Sequence, residues 1–226
     1  MLVLLFDIDG TLIRAGGAGS RAMSWTLAET FGVQGSTSGI TFSGRTDLAI
    51  TRDLFAKHGI AFTQENIGEF YSGYLNHLPA ALEASDGEVL SGARECLELL
   101  SAHGRSRIGL LTGNMRTAAF LKLAHFGLQH YFDFGGYGDE TLDRDDVAAA
   151  AIDAANAHPS VPEITRIWTI GDTPHDIACA RSQQISVVAV ATGSHGRDEL
   201  ARHNPDILLS DLSDPAQLLT AVEVTA

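Results

Sequence analysis

The chain opens on a short uninterrupted apolar run, Leu2 to Phe6, that stops at Asp7. A run of this length without polar alternation predicts a strand buried on both faces of a parallel sheet. Similar runs at Arg107–Leu111, Tyr131–Gly135, Ile164–Ile170, Ile185–Ala191 and Asp206–Ser210 predict further strands, Tyr131–Gly135 being short and glycine-rich. Helical patterns fall at Met115–His125, Asp145–Ala157, Pro174–Ser182, Arg197–His203 and Pro215–Val222. Strand and helix in regular alternation predict an α/β fold, a parallel sheet joined by right-handed crossovers.

The segment from about Ala15 to Glu88 breaks this alternation. It carries three helical stretches, Ser20–Phe31, Asp47–His58 and Gln64–Ala84, with no convincing strand between them. A helical block inserted after the first strand predicts a small cap domain, residues 15–88, on a core built from residues 1–14 and 89–226. Ser91–His103 then returns as a helix leading into the second core strand, and the Gly/Ser-rich stretch Gly32–Gly44 reads as a loop within the insert.

Composition narrows the function. With 226 residues, 45% hydrophobic and 19% charged, the chain is ordinary globular material. Its 15 basic against 28 acidic residues give a net charge of −13. That offers no basic field for nucleic acid or an anionic membrane, so a phosphate-bearing substrate would have to be held by local groups. Cys96 and Cys179 lack CxxC spacing, which argues against a disulfide framework or a zinc site. There is no basic leader and no apolar run of about 18 residues. A cytoplasmic protein, with no nucleic-acid or membrane partner, is expected.

Four motifs carry the candidate chemistry. Asp7-Ile8-Asp9-Gly10-Thr11 follows the first strand, where open α/β sheets bind ligands, and its two acids share one rim. A solvated strand-end loop is the plain alternative. Leu110-Leu111-Thr112-Gly113-Asn114 joins a strand to a helix and offers a hydroxyl and backbone N–H groups to a phosphate, though Thr-Gly-Asn is also a common turn. In Gly171-Asp172-Thr173-Pro174-His175-Asp176, helix capping explains one acid well and both less well. Arg144, between Asp143 and Asp145-Asp146, opposes the helix dipole at a helix start and so invites a functional reason, although the flanking acids offer it partners.

Together these motifs resemble the haloacid dehalogenase (HAD) superfamily of phosphatases. Asp7-x-Asp9-Gly-Thr11 looks like motif I, Thr112 motif II, Arg144 motif III, and Gly171-Asp172-x-x-x-Asp176 motif IV. The order and spacing match over nearly the whole chain. The insert resembles the C1 cap of phosphoglycolate phosphatase-like members, with Gly44-Arg45-Thr46-Asp47 as its substrate-facing loop. One departure is arginine where the third motif more often carries lysine. Arginine forks onto phosphate oxygens and stays charged, so Arg144 is accepted. The rival, Lys122, about three turns along the helix after Thr112, is expected to point away from the strand ends.

The resemblance implies a Rossmann-like core and a Mg²⁺-dependent phosphatase for a small phosphomonoester of the phosphoglycolate or sugar-phosphate type. It makes Asp7 the nucleophile that forms an aspartyl-phosphate and Asp9 the general acid and base. Asp7 and Asp172 would bind Mg²⁺ through their side chains and Asp9 through its carbonyl, while Asp176 orients the set from behind. Thr11, Thr112, Gly113, Asn114 and Arg144 would hold the phosphoryl group, with Thr112 and Arg144 part of the catalytic set. Arg45 and Thr46 would meet the leaving group from the cap, although a surface role suits Arg45 equally. The chain is expected as a monomer or homodimer.

Asp9 disfavours a dehalogenase, because a departing halide needs no proton. The strand-end DxDGT and the long insert disfavour a receiver domain. A phosphomutase of the same superfamily stays open, and a catalytically idle binding module is the reading from another class.

Overall fold

A computed structural model gives the protein's architecture. It describes residues 1–34, 37–161 and 163–224; residues 35 and 36 of the expected Gly32–Gly44 loop, and residues 162, 225 and 226 of the expected core, lie outside the described residues. Among the described residues eight strands follow in chain order: β1 (Leu2–Phe6), β2 (Ile13–Arg14), β3 (Glu88–Val89), β4 (Ser106–Leu111), β5 (Gly135–Gly136), β6 (Arg166–Gly171), β7 (Ser186–Val190) and β8 (Ile207–Leu209). Six form one sheet in the order β5-β4-β1-β6-β7-β8, and every pairing in it is parallel. The expected α/β fold with a Rossmann-like parallel sheet is therefore what the chain adopts.

Strand β1 lies at the centre, and alternation along it explains why its apolar run is unbroken. Leu2, Leu4 and Phe6 pack on one face with Leu97, Leu100, Ala119, Leu123 and Leu218. Val3 and Leu5 pack on the other with Val147, Ala148 and Ala151. Successive side chains of a strand point to opposite faces, and here both faces are covered by helices. The covering helices are α4 (Ala93–Ala102), α5 (Arg116–His125), α6 (Arg144–Ala157), α7 (Pro174–Ser182), α8 (Arg197–Arg202) and α9 (Pro215–Val224).

Three helices, α1 (Ala18–Phe31), α2 (Asp47–His58) and α3 (Gln64–Glu83), are inserted between β2 and β3. They bury Leu27, Leu54, Phe55, Phe70 and Leu78 in an apolar cluster of their own, to which α5 adds Ala118. Phe55 meets both Phe31 and Phe70 edge to face, with ring centroids 5.4 Å apart in each pair.

Two details differ from the pattern-based expectation. Tyr131–Gly135 is not a strand: Gln129–Tyr131 form a 3₁₀ turn, and only Gly135–Gly136 pair, parallel to β4. Apolar Tyr131, Phe132 and Phe134 do belong to the core, but through a turn and an extended connection. The second detail is a two-residue antiparallel ladder, Ile13 with Val89 and Arg14 with Glu88, which ties together the two ends of the helical insert. It is too short to leave a periodic signal.

Leu4 is fully buried in the central strand, whereas Leu99 is 37% exposed. Leu4→Ala should lower the unfolding free energy by about 2–5 kcal/mol in urea denaturation. Leu99→Ala should change it by no more than about 0.5 kcal/mol.

Candidate active site

Strand register assembles the site. Phe6 stands beside Leu110 on one side and Ile170 on the other, so β1, β4 and β6 end in one row. Asp7, Thr112 and Asp172 emerge together at the carboxyl ends of the strands, and the Asp7 N–H donates to the Ile170 carbonyl at 2.9 Å. After Asp9 the chain turns sharply. Gly10 takes a positive φ of 86°, and a Cβ there would fall 2.4 Å from Asp172 Oδ2. On the opposite side a Cβ on Gly193 would fall 1.7 Å from the same oxygen. Bare backbone on both flanks is what lets the Asp172 carboxylate sit there.

Asp7, Asp172 and Asp176 are buried and each offers a carboxylate oxygen within 4.8 Å of the others. Burial, and then repulsion among these acids, holds the Asp172 carboxyl well above its ordinary range. Burial also raises Asp7, against the opposing pull of Arg144. Both oxygens of Asp176 are committed. Oδ2 accepts from Thr173 N at 2.9 Å and Thr173 Oγ1 at 2.7 Å in a capping box, and Oδ1 accepts from Arg144 Nη2 at 2.6 Å. Asp172 Oδ1 accepts from Thr11 Oγ1 at 3.1 Å.

Arg144, the first residue of α6, is buried, and its Nη2 lies 3.2 Å from Asp7 Oδ2 as well as on Asp176. Asp143 supplies the helix cap, its Oδ1 accepting from Asp145 N at 3.0 Å. The side chain of Arg144 is thus left to enter the acidic cluster.

Lys122 is where the structure departs most from expectation. It does not point away from the strand ends: it is buried, and Nζ donates to Asp9 Oδ2 and Asn114 Oδ1, both at 2.6 Å. Helix α5 begins only at Arg116, so Lys122 sits in its second turn. Helical side chains lean toward their helix N-terminus, and a lysine stem then reaches back to the strand ends. Asn114 completes the network, its Nδ2 donating to Asp9 Oδ2 at 2.9 Å and to Thr112 Oγ1 at 2.8 Å. The half-exposed Asp9 carboxylate is therefore held by an ammonium and an amide. Thr112 is fully buried beneath this loop.

The loop before α2 closes over these groups. Asp47 N donates to the Gly113 carbonyl at 2.7 Å, and Asp47 Oδ2 accepts from Met115 N at 2.8 Å. Ser43 Oγ lies 3.3 Å from Ser194 Oγ. Gly44 and Gly113 leave no room for a side chain against the His175 ring and the Arg45 carbonyl respectively. Between the loop and the strand ends remains a cavity of about 530 Å³. Asp7, Asp9, Gly113, Asn114, Lys122, Arg144 and Asp172 line it from below, and Arg45, Asp47, Ile50 and Tyr74 from the helical side. The Arg45 guanidinium is paired with Asp53 at 2.7 Å and donates to the carbonyls of Thr41 and Ala49. Thr46 Oγ1 accepts from Ala49 N, capping α2, and Thr46 is buried away from the cavity.

Lys122, expected to point away, and Asp47 both join the site, and Ile50 and Tyr74 of the helical insert line it without any sequence signal. Asp47 stands in the quoted Gly44–Asp47 motif, but only its neighbours were given a role. An isolated lysine on a helix carries no local signal of where its stem ends.

The family model for haloacid dehalogenase-like hydrolases matches residues 4–181. The chain belongs to that family. No match was found among curated proteins. Solved structures of similar fold include a predicted phosphatase from Clostridium acetobutylicum, 21% identical, with a TM-score of 0.70 over 97% of this chain and 98% of that one. A predicted phosphoglycolate phosphatase from Haemophilus somnus is 18% identical, with a TM-score of 0.70 over 96% and 97% of the two chains. A candidate β-phosphoglucomutase from Thermotoga maritima is 19% identical, with a TM-score of 0.64 over 98% and 100%. At these identities the likeness speaks for the fold. Among the described residues no helix is long and apolar enough to cross a membrane.

Burial, partly offset by the Lys122 ammonium, pushes the Asp47 carboxyl from an ordinary 3.8 up to about 6. The folded chain then binds this proton more tightly than the unfolded one, so this group's contribution to stability falls as pH rises between about 4 and about 6. Asp47→Asn cannot titrate, and its Tm should lose less across that window than the parent's. Parallel Tm curves for the two proteins would place Asp47 at its ordinary value.

Proposed function

We propose that the protein is a Mg²⁺-dependent phosphatase that hydrolyses a small phosphomonoester through a phosphorylated Asp7. The observation that carries this reading is the pairing of Asp7, facing Arg144 and Asp172, with Asp9, held two residues on by Lys122 and Asn114. Residues 1–14 and 89–226 form the catalytic core and residues 15–88 a cap that encloses the leaving group.

The donor set suits a hard divalent cation. Burial, and then repulsion from Asp176 and Asp7, raises the Asp172 carboxyl within this cluster, and a cation relieves that repulsion. Asp7 and Asp172 would hold Mg²⁺ through carboxylate oxygens and Asp9 through its carbonyl. Asp176, both of whose oxygens are spent on Thr173 and Arg144, orients the group from behind. When bound, Mg²⁺ supplies neutralising charge to Asp7 and to the phosphoryl oxygens.

In the first step an Asp7 oxygen attacks phosphorus in line, the bond from phosphorus to the leaving oxygen breaks, and Asp9, which enters this step as the carboxylic acid, delivers its proton to that oxygen and is left as the carboxylate. In the second, Asp9 takes a proton from water as the water attacks phosphorus, and the bond to Asp7 breaks to release phosphate. Arg144 beside Asp7, with Gly113 and Asn114 at the end of β4, stabilises the charge that spreads over the phosphoryl oxygens, while the fully buried Thr112 and Thr11 hold Asn114 and Asp172 in place. The cap excludes water and selects the leaving group, a role in which Arg45 acts through the loop it braces against Asp53. Candidate phosphomutases share the fold, so phosphate release is the discriminating readout. A hydrolase frees one phosphate for each substrate lost, whereas a mutase returns it to a sugar.

Chelation should abolish turnover of a phosphomonoester panel, and Mg²⁺ should restore it. Asp7→Asn should reduce activity to background with the fold intact. Full activity in either experiment refutes the covalent, metal-assisted route. Asp9→Asn separates the two proton transfers. General acid help is worth about 10²–10⁴-fold to an alkoxide leaving group and far less to a nitrophenolate. With nitrophenyl phosphate the variant should show a burst followed by slow turnover, with phosphate retained on Asp7. Equal first-step losses for alkyl and nitrophenyl phosphates would remove the acid–base role.

A further inference from the structure

We infer that Asp47 is a positioning residue that makes the phosphate-binding loop depend on the inserted helical block. This rests on the phosphatase reading above for what the loop does, and on geometry for how it is held. Asp47 is 5% exposed and begins α2. It grips the core strand-to-helix connection at two points, its N–H donating to the Gly113 carbonyl at 2.7 Å and its Oδ2 accepting from Met115 N at 2.8 Å. The residue straddled by these two bonds is Asn114. The Asn114 side chain in turn holds Asp9, Thr112 and Lys122 at 2.9, 2.8 and 2.6 Å.

Helix α5 has no side-chain cap of its own: Met115 occupies the N-cap position and offers none. Asp47 and Asp139 together serve this helix end from elsewhere in the chain: Asp47 Oδ2 accepts from the Met115 N–H, as the acid of a capping box does from an N-cap N–H, and Asp139 Oδ1 accepts from Arg116 N at 2.7 Å. A carboxylate is also well placed beside a helix N-terminus electrostatically. Leu48 N donates to the Gly138 carbonyl at 3.3 Å, extending the same seam. Without the Asp47 carboxylate the Met115 N–H is left buried and unpaired, and the connection around Asn114 loses one of its restraints, the Asn114 carbonyl still accepting from Gly138 N at 2.9 Å. The hold on Asp9 that Asn114 shares with Lys122 is then loosened, although Asp9 itself is unchanged.

Two variants and two readouts test this. Asp47→Ala removes the acceptor. Asp47→Asn keeps a carbonyl oxygen that can accept from Met115 N–H. In Mg²⁺ buffer the Met115 amide should exchange at least about tenfold faster in Asp47→Ala, and Asp47→Asn should recover most of its protection. Because misplacement of about 1 Å can cost about 10²-fold, kcat in Asp47→Ala should fall about 10–100-fold, equally for alkyl and aryl phosphates, with KM little moved. Asp47→Asn should regain most of that rate. Unchanged exchange in Asp47→Ala, an Asp47→Asn as impaired as Asp47→Ala, or a loss confined to one leaving group would each overturn the inference. A parent protein that hydrolyses no phosphomonoester refutes the phosphatase reading instead, and the exchange measurement still decides whether Asp47 holds the loop.

Discussion

The structure turns on how much negative charge it collects where its central strands end. Asp7, Asp172 and Asp176 bring oxygens within 4.8 Å of one another in a buried volume, with Asp9 and Asp47 nearby. At an effective dielectric of about 20, two such charges repel by on the order of 3 kcal/mol. A fold tolerates this only if the chain is held there by something stronger than local preference. Here that is the register of β1 with β4 and β6, whose side chains fill both faces of the sheet. The core is thus the scaffold that forces unfavourable charges together, and the cations placed among them are its necessary complement.

Two cations do this work by different routes. Arg144 enters from the first turn of α6, a position where a positive charge opposes the helix dipole. One guanidinium nitrogen, Nη2, reaches Asp7 and Asp176 at once. Lys122 comes from α5, on the opposite sheet face, and ends on Asp9. The nucleophile and the acid–base group of the proposed mechanism therefore each have a separate positive neighbour. Each carboxylate is thereby fixed in place by a cation of its own.

The sheet was legible because burial on both faces leaves a contiguous apolar run, and the motifs because they fall where those runs stop. Gly135–Gly136 was misread since glycines carry no hydrophobic pattern, and the nearby apolar residues drew the expected strand back toward Tyr131. The β2–β3 ladder has two residues on each side, fewer than any period needs to show itself. Asp7, Asp9, Asp172, Arg144 and Asn114 were legible from position and all line one cavity. Lys122 was not, because its contact depends on where α5 begins and on the backward lean of its stem. Asp47 was not, because its partners are a backbone carbonyl and a backbone N–H, and main-chain groups have no sequence signature.

That last failure follows from how the helical insert meets the core. The Gly44–Asp47 loop was read as a surface offered to substrate, with Arg45 and Thr46 as its contacts. In the folded chain the Arg45 guanidinium braces the loop against Asp53, and the Thr46 hydroxyl starts α2. Most polar groups of the loop are spent on building and docking it. Docking has a structural consequence: a loop fastened to Gly113 and Met115 pulls on Asn114 when it shifts, and Asn114 shares the Asp9 carboxylate with Lys122. The contacts that cover the cavity and those that hold Asp9 therefore form one connected network.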